Sequence, residues 1–304
     1  MVEESKSIVQ RPAAEAAAGV GARAGSLDRP WRLLRLTGEI FVDNNAWSRG
    51  ASIAYFTLFS VAPVLLVVIA VAGLVFGEDA AEGAIVAQLS GLMGHETAET
   101  LQTMVRSASD RMRGTIATLV GLGAILLATT GVFGEVQAAL NAIWNARPDR
   151  SAMTRLVRAR LVSLGLVIAF GFVLMVSLAV SAALQAVSTY LRNVVPGMEA
   201  TLSLTDFLLS TVLIAVLFAA MYKILPDVVI RWRDVAVGAL MATVLFAGGK
   251  YLIALYIGRS AVASTFGAAG ALIVLLLWIF YSSQIFLLGA AFTRAWARVY
   301  GRAI

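Results

Sequence analysis

Two ionisable residues stand inside long apolar stretches, and they are the first places to look for chemistry. Lys250 interrupts the apolar segment that begins at Val235, and Glu135 closes the uncharged run that begins at Gly114. A charge within a membrane-crossing segment is costly, and it marks a substrate path, a proton relay or an ion pair. Helical spacing puts Lys250 on one face with Ala236, Ala239, Thr243, Ala247 and Ala254. It puts Glu135 with Ala117, Gly121, Ala124, Ala128 and Gly131. Small residues let helices approach closely, so both charges are expected to point into protein rather than lipid.

Depth separates the two. At about 1.5 Å per residue, Glu135 falls roughly 30 Å from the start of its run and Lys250 about 22 Å from the opposite surface. Glu135 is therefore expected to pair with Arg147, Arg155 or Arg158 in the following loop, or to act in gating. Lys250 has two readings. It lines a cavity with Ser177 and Ser181 at similar depth and Ser60 nearer the middle, which suits an anionic substrate or head group. Alternatively, its ammonium snorkels to the interface along its own alkyl stem.

Polar side chains fall in two further places. Ser52, Tyr55 and Ser60 share a helical face in the first apolar stretch, and Tyr281, Ser282, Ser283 and Gln284 break the last one. Such groups line an inward path or lock helices together by hydrogen bonds. Catalysis has little to work with. There is no cysteine and a single histidine, His95, whose only acid/base company nearby is Glu96 and Glu99. Metal-dependent hydrolysis needs clustered ligands, and no phosphate-binding GxxxxGK[ST] loop is present. No cofactor or metal is expected.

The elements that must position these residues follow from composition. With 60% hydrophobic and only 14% charged residues, the chain reads as an all-α, polytopic membrane protein. Residues 1–28, rich in Ala, Gly and charge, read as a disordered tail, and Arg29 to Asn45 as an amphipathic helix suited to a membrane surface or to the protein's own loops. A single domain over 29–300 is expected to cross the bilayer six times, at about 50–77, 114–136, 161–190, 206–224, 235–257 and 268–294. The acidic stretch Glu78 to Arg113 holds two amphipathic pieces too short to span. It is expected to form a helical hairpin at the outer surface. Of the 24 Lys and Arg, 18 lie in the tail, the alternate loops and the C-terminal end that would share one side. That places both termini in the cytoplasm, with Trp31, Trp47, Trp144, Trp232 and Trp296 near the inner boundary.

Four ordered stretches carry a family resemblance. They are Ala51-Ser-Ile-Ala-Tyr-Phe-Thr-Leu-Phe-Ser60 with Ala62-Pro63; Gly131-Val-Phe-Gly-Glu-Val-Gln137 with Ala139-Leu-Asn-Ala-Ile-Trp144; Leu225-Pro-Asp227 with Arg231-Trp-Arg-Asp234; and Thr265-Phe-Gly-Ala-Ala-Gly270 through Leu277-Trp278. Over residues 30 to 300 the chain resembles the BrkB/YihY family of bacterial inner-membrane proteins. The resemblance implies six transmembrane helices, a cytoplasmic-membrane location and a role in envelope physiology or export. Some members have been labelled ribonuclease BN, a label the lone histidine argues against. Many relatives carry Glu at the position of Ala291 and Ser at that of Ala271, so a mechanism resting on that Glu does not transfer.

The sequence thus points to a non-ATP-driven transporter or exporter of an envelope-related anionic or amphiphilic molecule. Its candidate lining residues are Lys250, Ser52, Tyr55, Ser60, Ser177, Ser181, Tyr281 and Gln284, with Glu135 as a gating or structural ion-pair residue. The alternative is a non-transporting membrane scaffold for envelope maintenance. The expected partners are the lipid bilayer and a lipid or small anion, with self-association left open and nucleic acid excluded.

Overall fold

The computed structural model describes residues 28–93, 95–111, 131–146, 165, 198–259 and 268–301, and all regular structure among them is helical. In chain order the elements are α1 (Asp28–Asp43), α2 (Ala46–Phe76), α3 (Glu78–Met93) and α4 (His95–Arg111). There follow α5 (131–144), α6 (Met198–Ile224), α7 (Trp232–Arg259) and α8 (Ala268–Tyr300). The tail, most of the expected second span and the third span with Ser177 and Ser181 lie outside the described residues.

The helix α8, of 33 residues, organises the rest. It packs against α7, α2 and α1 along its length, while α6 packs on α7. Among the described residues three stretches are long and apolar enough to cross a membrane: Phe207–Ile224, Trp232–Leu252 and Gly270–Tyr300. The expected first span forms α2, which runs unbroken through Pro63 for 31 residues and ends at Gly77, whose φ of 86° only glycine adopts without strain.

Most of the core sits at the end carrying α1 and the close of α8. Leu33, Ile40 and Phe41 of α1 meet Val136, Leu140 and Ile143 of α5, Tyr222 and Leu225 at the end of α6, and Ile285 to Ala295 of α8. The amphipathic reading of α1 resolves into two faces. Leu33, Thr37, Ile40 and Phe41 are buried, while Trp31, Leu34 and Val42 stay exposed. Ala271 and Ala291, the two positions that depart from the family pattern, are both fully buried. Glycines set the closest approaches. A Cβ at Gly238 would collide with Thr293 Oγ1, and one at Gly249 with the Tyr281 ring.

A second, smaller core lies towards the other end and involves the short helices. Leu101 of α4 is buried with Leu275 and Trp278 of α8, packed by Leu58 and Val61 of α2, Leu89 of α3 and Phe246 of α7. The α3–α4 hairpin packs on the sides of the long helices. Its apolar side, Ala98, Leu101 and Val105, is wide enough to be buried only against the flanks of long helices, and that is where it sits.

Candidate functional site

The polar band of α8 faces α2 and α7 along a seam. Tyr281 lies flat on Gly249. Three residues on, Gln284 fills the notch left by Gly50, and its Nε2 donates to the Trp47 carbonyl at 3.2 Å. Its Oε1 is buried and has no hydrogen-bond partner among the described residues. A buried amide oxygen without a donor is costly, and native proteins rarely leave one. The neighbouring hydroxyls are satisfied within their own helices. Ser282 and Ser283 donate to the carbonyls of Trp278 and Ile279, each at 2.8 Å. Ser60, fully buried, donates to the Thr57 carbonyl at 3.1 Å.

Lys250 follows Gly249, so it lies beside this seam. Its Nζ is 5.7 Å from the centre of the Tyr251 ring, and Tyr251 is 63% exposed, so the ammonium leans towards the rim of the bundle. Ser52 is half-buried and Tyr55 exposed, the latter in an aromatic cluster with Phe56 and Phe59 at centroid distances of 5.7 and 4.9 Å. The structure thus sets Tyr281 against α7 at Gly249 and Gln284 against α2 at Gly50, with Lys250 half-buried beside Tyr251. It places Tyr55 on the outside of α2 and Ser60 against protein. Glu135 is half-buried on α5, and its expected arginine partners lie outside the described residues.

Sequence reasoning did not anticipate a polar junction at the other end of α5. Asn141 Nδ2 donates to Asp227 Oδ2 at 2.8 Å, the Asp227 amide donates to Asn141 Oδ1 at 2.8 Å, and Gln137 Nε2 reaches Asp227 Oδ2 at 3.3 Å. One turn on, α5 ends in two backbone bonds, Ala146 N–H to the Asn141 carbonyl (2.8 Å) and Asn145 N–H to that of Ala142 (3.0 Å), with Asn145 left-handed at φ 50°. That is the Schellman arrangement. Arg294, buried in α8, donates Nη1 to the Ile143 carbonyl. With the Asn145 amide turned so that its nitrogen reaches the Ala142 carbonyl, its oxygen accepts from Arg294 Nη2 at 2.8 Å. The guanidinium is held by the negative end of a helix. On the far side of Asp227, Lys223 Nζ donates to the Ile230 carbonyl and sits 5.4 Å from the Trp232 ring centre. The available signal was the i, i+4 pair Gln137 and Asn141, which puts two amides on one helix face.

Gln137, Asn141 and Asp227 of the junction lie in two of the stretches that carry the resemblance, Gly131 to Trp144 and Leu225 to Asp227. Residues 39–303 match the family described as virulence factor BrkB. The chain belongs to that family. It is 29% identical over 260 residues to a UPF0761 membrane protein of Rhodospirillum centenum, covering 83% of this chain and 54% of the relative. A UPF0761 membrane protein of Ralstonia nicotianae is 31% identical over 243 residues, covering 79% and 53%. One of Xanthomonas axonopodis pv. citri is 29% identical over 259 residues, covering 83% and 58%. The chain therefore spans little more than half the length of these curated relatives. No solved structure matches it. This BrkB-family chain is a multi-pass protein of the bacterial inner membrane. Among the described residues no group of three or more His, Asp or Glu side chains is placed to hold a metal ion.

Proposed function

We propose that this BrkB-family protein is a non-ATP-driven transporter of an anionic or amphiphilic envelope molecule. In this reading the chain crosses the membrane six times with both termini in the cytoplasm, and the path follows the seam between α2, α7 and α8. The observation that carries it is Gln284 Oε1, a buried acceptor without a donor among the described residues, in the polar band of α8. An amide oxygen in that position accepts from water or from a passing hydroxyl, and Lys250 adds the charge that attracts an anionic group. Ser52 and Tyr281 are the nearest lining positions, with Ser177, Ser181, Tyr55 and Ser60 as further candidates.

The test uses the absence of native cysteine. Single cysteines at positions 52, 60, 177 and 281 are challenged with the anionic, membrane-impermeant reagent 2-sulfonatoethyl methanethiosulfonate in proteoliposomes. Modification at 52 and 281 is expected. If all four stay unmodified, the seam is dry and the rival reading holds, a membrane scaffold working through its basic loops. The dense core of α1, α5 and α8 favours that rival. Lys250→Ala is expected to abolish rescue of a deletion strain's envelope phenotype under the transport reading and to leave it intact under the scaffold reading.

A further inference from the structure

The hairpin α3–α4 holds two properties that are hard to reconcile with a surface position. Its apolar side packs inside the membrane-crossing stretches. The partners of Leu101 are Leu275 and Trp278, which lie within Gly270–Tyr300, and Phe246, which lies within Trp232–Leu252. On α2, the packed residues Val61 and Leu58 are roughly 22 and 27 Å back from the Phe76 end, at about 1.5 Å per residue. The α3 helix leaves that end at Gly77, packs back along α2 and has 16 residues, so it is about 24 Å long. The two lengths agree, and the turn between α3 and α4 is placed beside the middle of α2.

The other side of the hairpin is charged and exposed. His95, Glu99, Thr103, Arg106 and Ser107 form one continuous exposed strip on α4, starting at the turn. His95 Nε2 lies 3.0 Å from Glu99 Oε1. Further out, Arg106 Nε donates to Glu82 Oε1 at 2.7 Å. Hydrocarbon does not tolerate an exposed strip of this kind, and ionisable side chains at membrane depth face a water-filled cavity or protein. The same helix is thus fixed at depth by its buried side and kept in water by its exposed side.

We propose that α3–α4 is a re-entrant hairpin lining an aqueous vestibule, open on the membrane face opposite the α1 end and reaching to about the middle of α2. Small hydrophilic solutes enter it, with His95 and Glu99 at its deepest charged point. The inference does not rest on the transport reading, because a vestibule that ends blind satisfies it equally.

Nitroxide accessibility in nanodiscs tests it with the full chain. Single labels are placed at His95→Cys, Glu99→Cys and Thr103→Cys on the strip, and at Phe59→Cys, an exposed α2 position at the level of Leu58 and Val61. The probes are oxygen, which partitions into lipid, and nickel ethylenediaminediacetate, which stays in water. The expected result is a lipid-like label at 59, with oxygen relaxation several-fold above nickel, and water-like labels at 95, 99 and 103, with the ratio reversed. A water-like label at 59 would mean that the hairpin lies outside the bilayer and would overturn the proposal. Lipid-like labels at 95 and 99 would overturn it as well. Loss of cysteine modification at 52 and 281 alone would bear on transport and leave the vestibule standing.

Discussion

Asn141 and Asp227 are joined twice, by Asn141 Nδ2 to Asp227 Oδ2 and by the Asp227 amide to Asn141 Oδ1, both at 2.8 Å. This reciprocal pair fixes the α6–α7 connection to α5. It also holds a partly buried carboxylate by side-chain amides, with Gln137 adding a second donor to Asp227 Oδ2. Asn141→Asp removes the donor and places two carboxylates in contact. The expected loss is about 1–3 kcal/mol, the cost of a buried hydrogen-bonded group left unsatisfied. Exchanging the partners, Asn141→Asp with Asp227→Asn, restores the side-chain bond with donor and acceptor reversed and keeps the backbone amide of residue 227 donating to the side chain at 141. Thermal unfolding in detergent should therefore rank wild type, then the exchange, then Asn141→Asp alone. If the exchange is no better than the single variant, the pair does not join the two elements in solution.

Arg294 is a buried cation held by carbonyl oxygens of α5 rather than by a carboxylate among the described residues. Its five-donor fork serves two acceptors at once, which an ammonium on a shorter reach does not. Arg294→Lys is expected to cost about 1–2 kcal/mol and Arg294→Met about 1–3 kcal/mol, since both leave an orphan helix-end carbonyl. The check is the unfolding midpoint of each variant in detergent. A midpoint for Arg294→Met equal to wild type would mean that the helix end finds water instead.

Gly238 and Thr293 are a lock between α7 and α8. A Cβ at 238 would collide with Thr293 Oγ1 and lie 2.8 Å from Thr293 Cβ. The hydroxyl itself is bound to the Gly289 carbonyl at 2.7 Å and cannot swing away freely. Gly238→Ala is expected to destabilise by about 1–3 kcal/mol through overpacking. Thr293→Ala removes the obstruction, so the double variant should recover part of that loss. A double-mutant cycle in denaturant reads the coupling directly, and additive effects would show that the helices are not in contact at this point.

The sequence carried the long helices because apolar runs bounded by charge leave few alternatives, and α2, α6, α7 and α8 follow those runs. It carried Tyr281 and Gln284 as a polar band but not what they meet, because that depends on how α2, α7 and α8 are registered by Gly50, Gly249 and Gly238. Those notches are invisible to periodicity. The hairpin Glu78 to Arg111 was legible as two short helices, but what its apolar side packs on was not. Its two helices are too short to span, and a hydrophobicity argument offers a short amphipathic helix only a surface. The flanks of α2, α7 and α8 supply a third option. Arg294 was read as a boundary charge, and nothing in its spacing showed that the end of α5, 151 residues earlier, would be its partner.

Asn45 and Asn145 are the two non-glycine residues with positive φ among the described residues, at 51° and 50°. Both end a helix, and both are followed by packing that depends on the chain's exit direction. Left-handed backbone costs most residues about 1 kcal/mol or more, while glycine adopts it freely. Alanine should therefore destabilise at either position. Glycine should separate them. At 45 the side chain makes no capping hydrogen bond, so Asn45→Gly is expected to be neutral within about 0.5 kcal/mol. At 145 the amide also accepts from Arg294, so Asn145→Gly is expected to lose about 1–2 kcal/mol. In an Arg294→Met background that second loss should vanish, because the donor is gone. Equal behaviour of the two glycine variants in thermal unfolding would remove Asn145 from the Arg294 site and leave it a turn residue only.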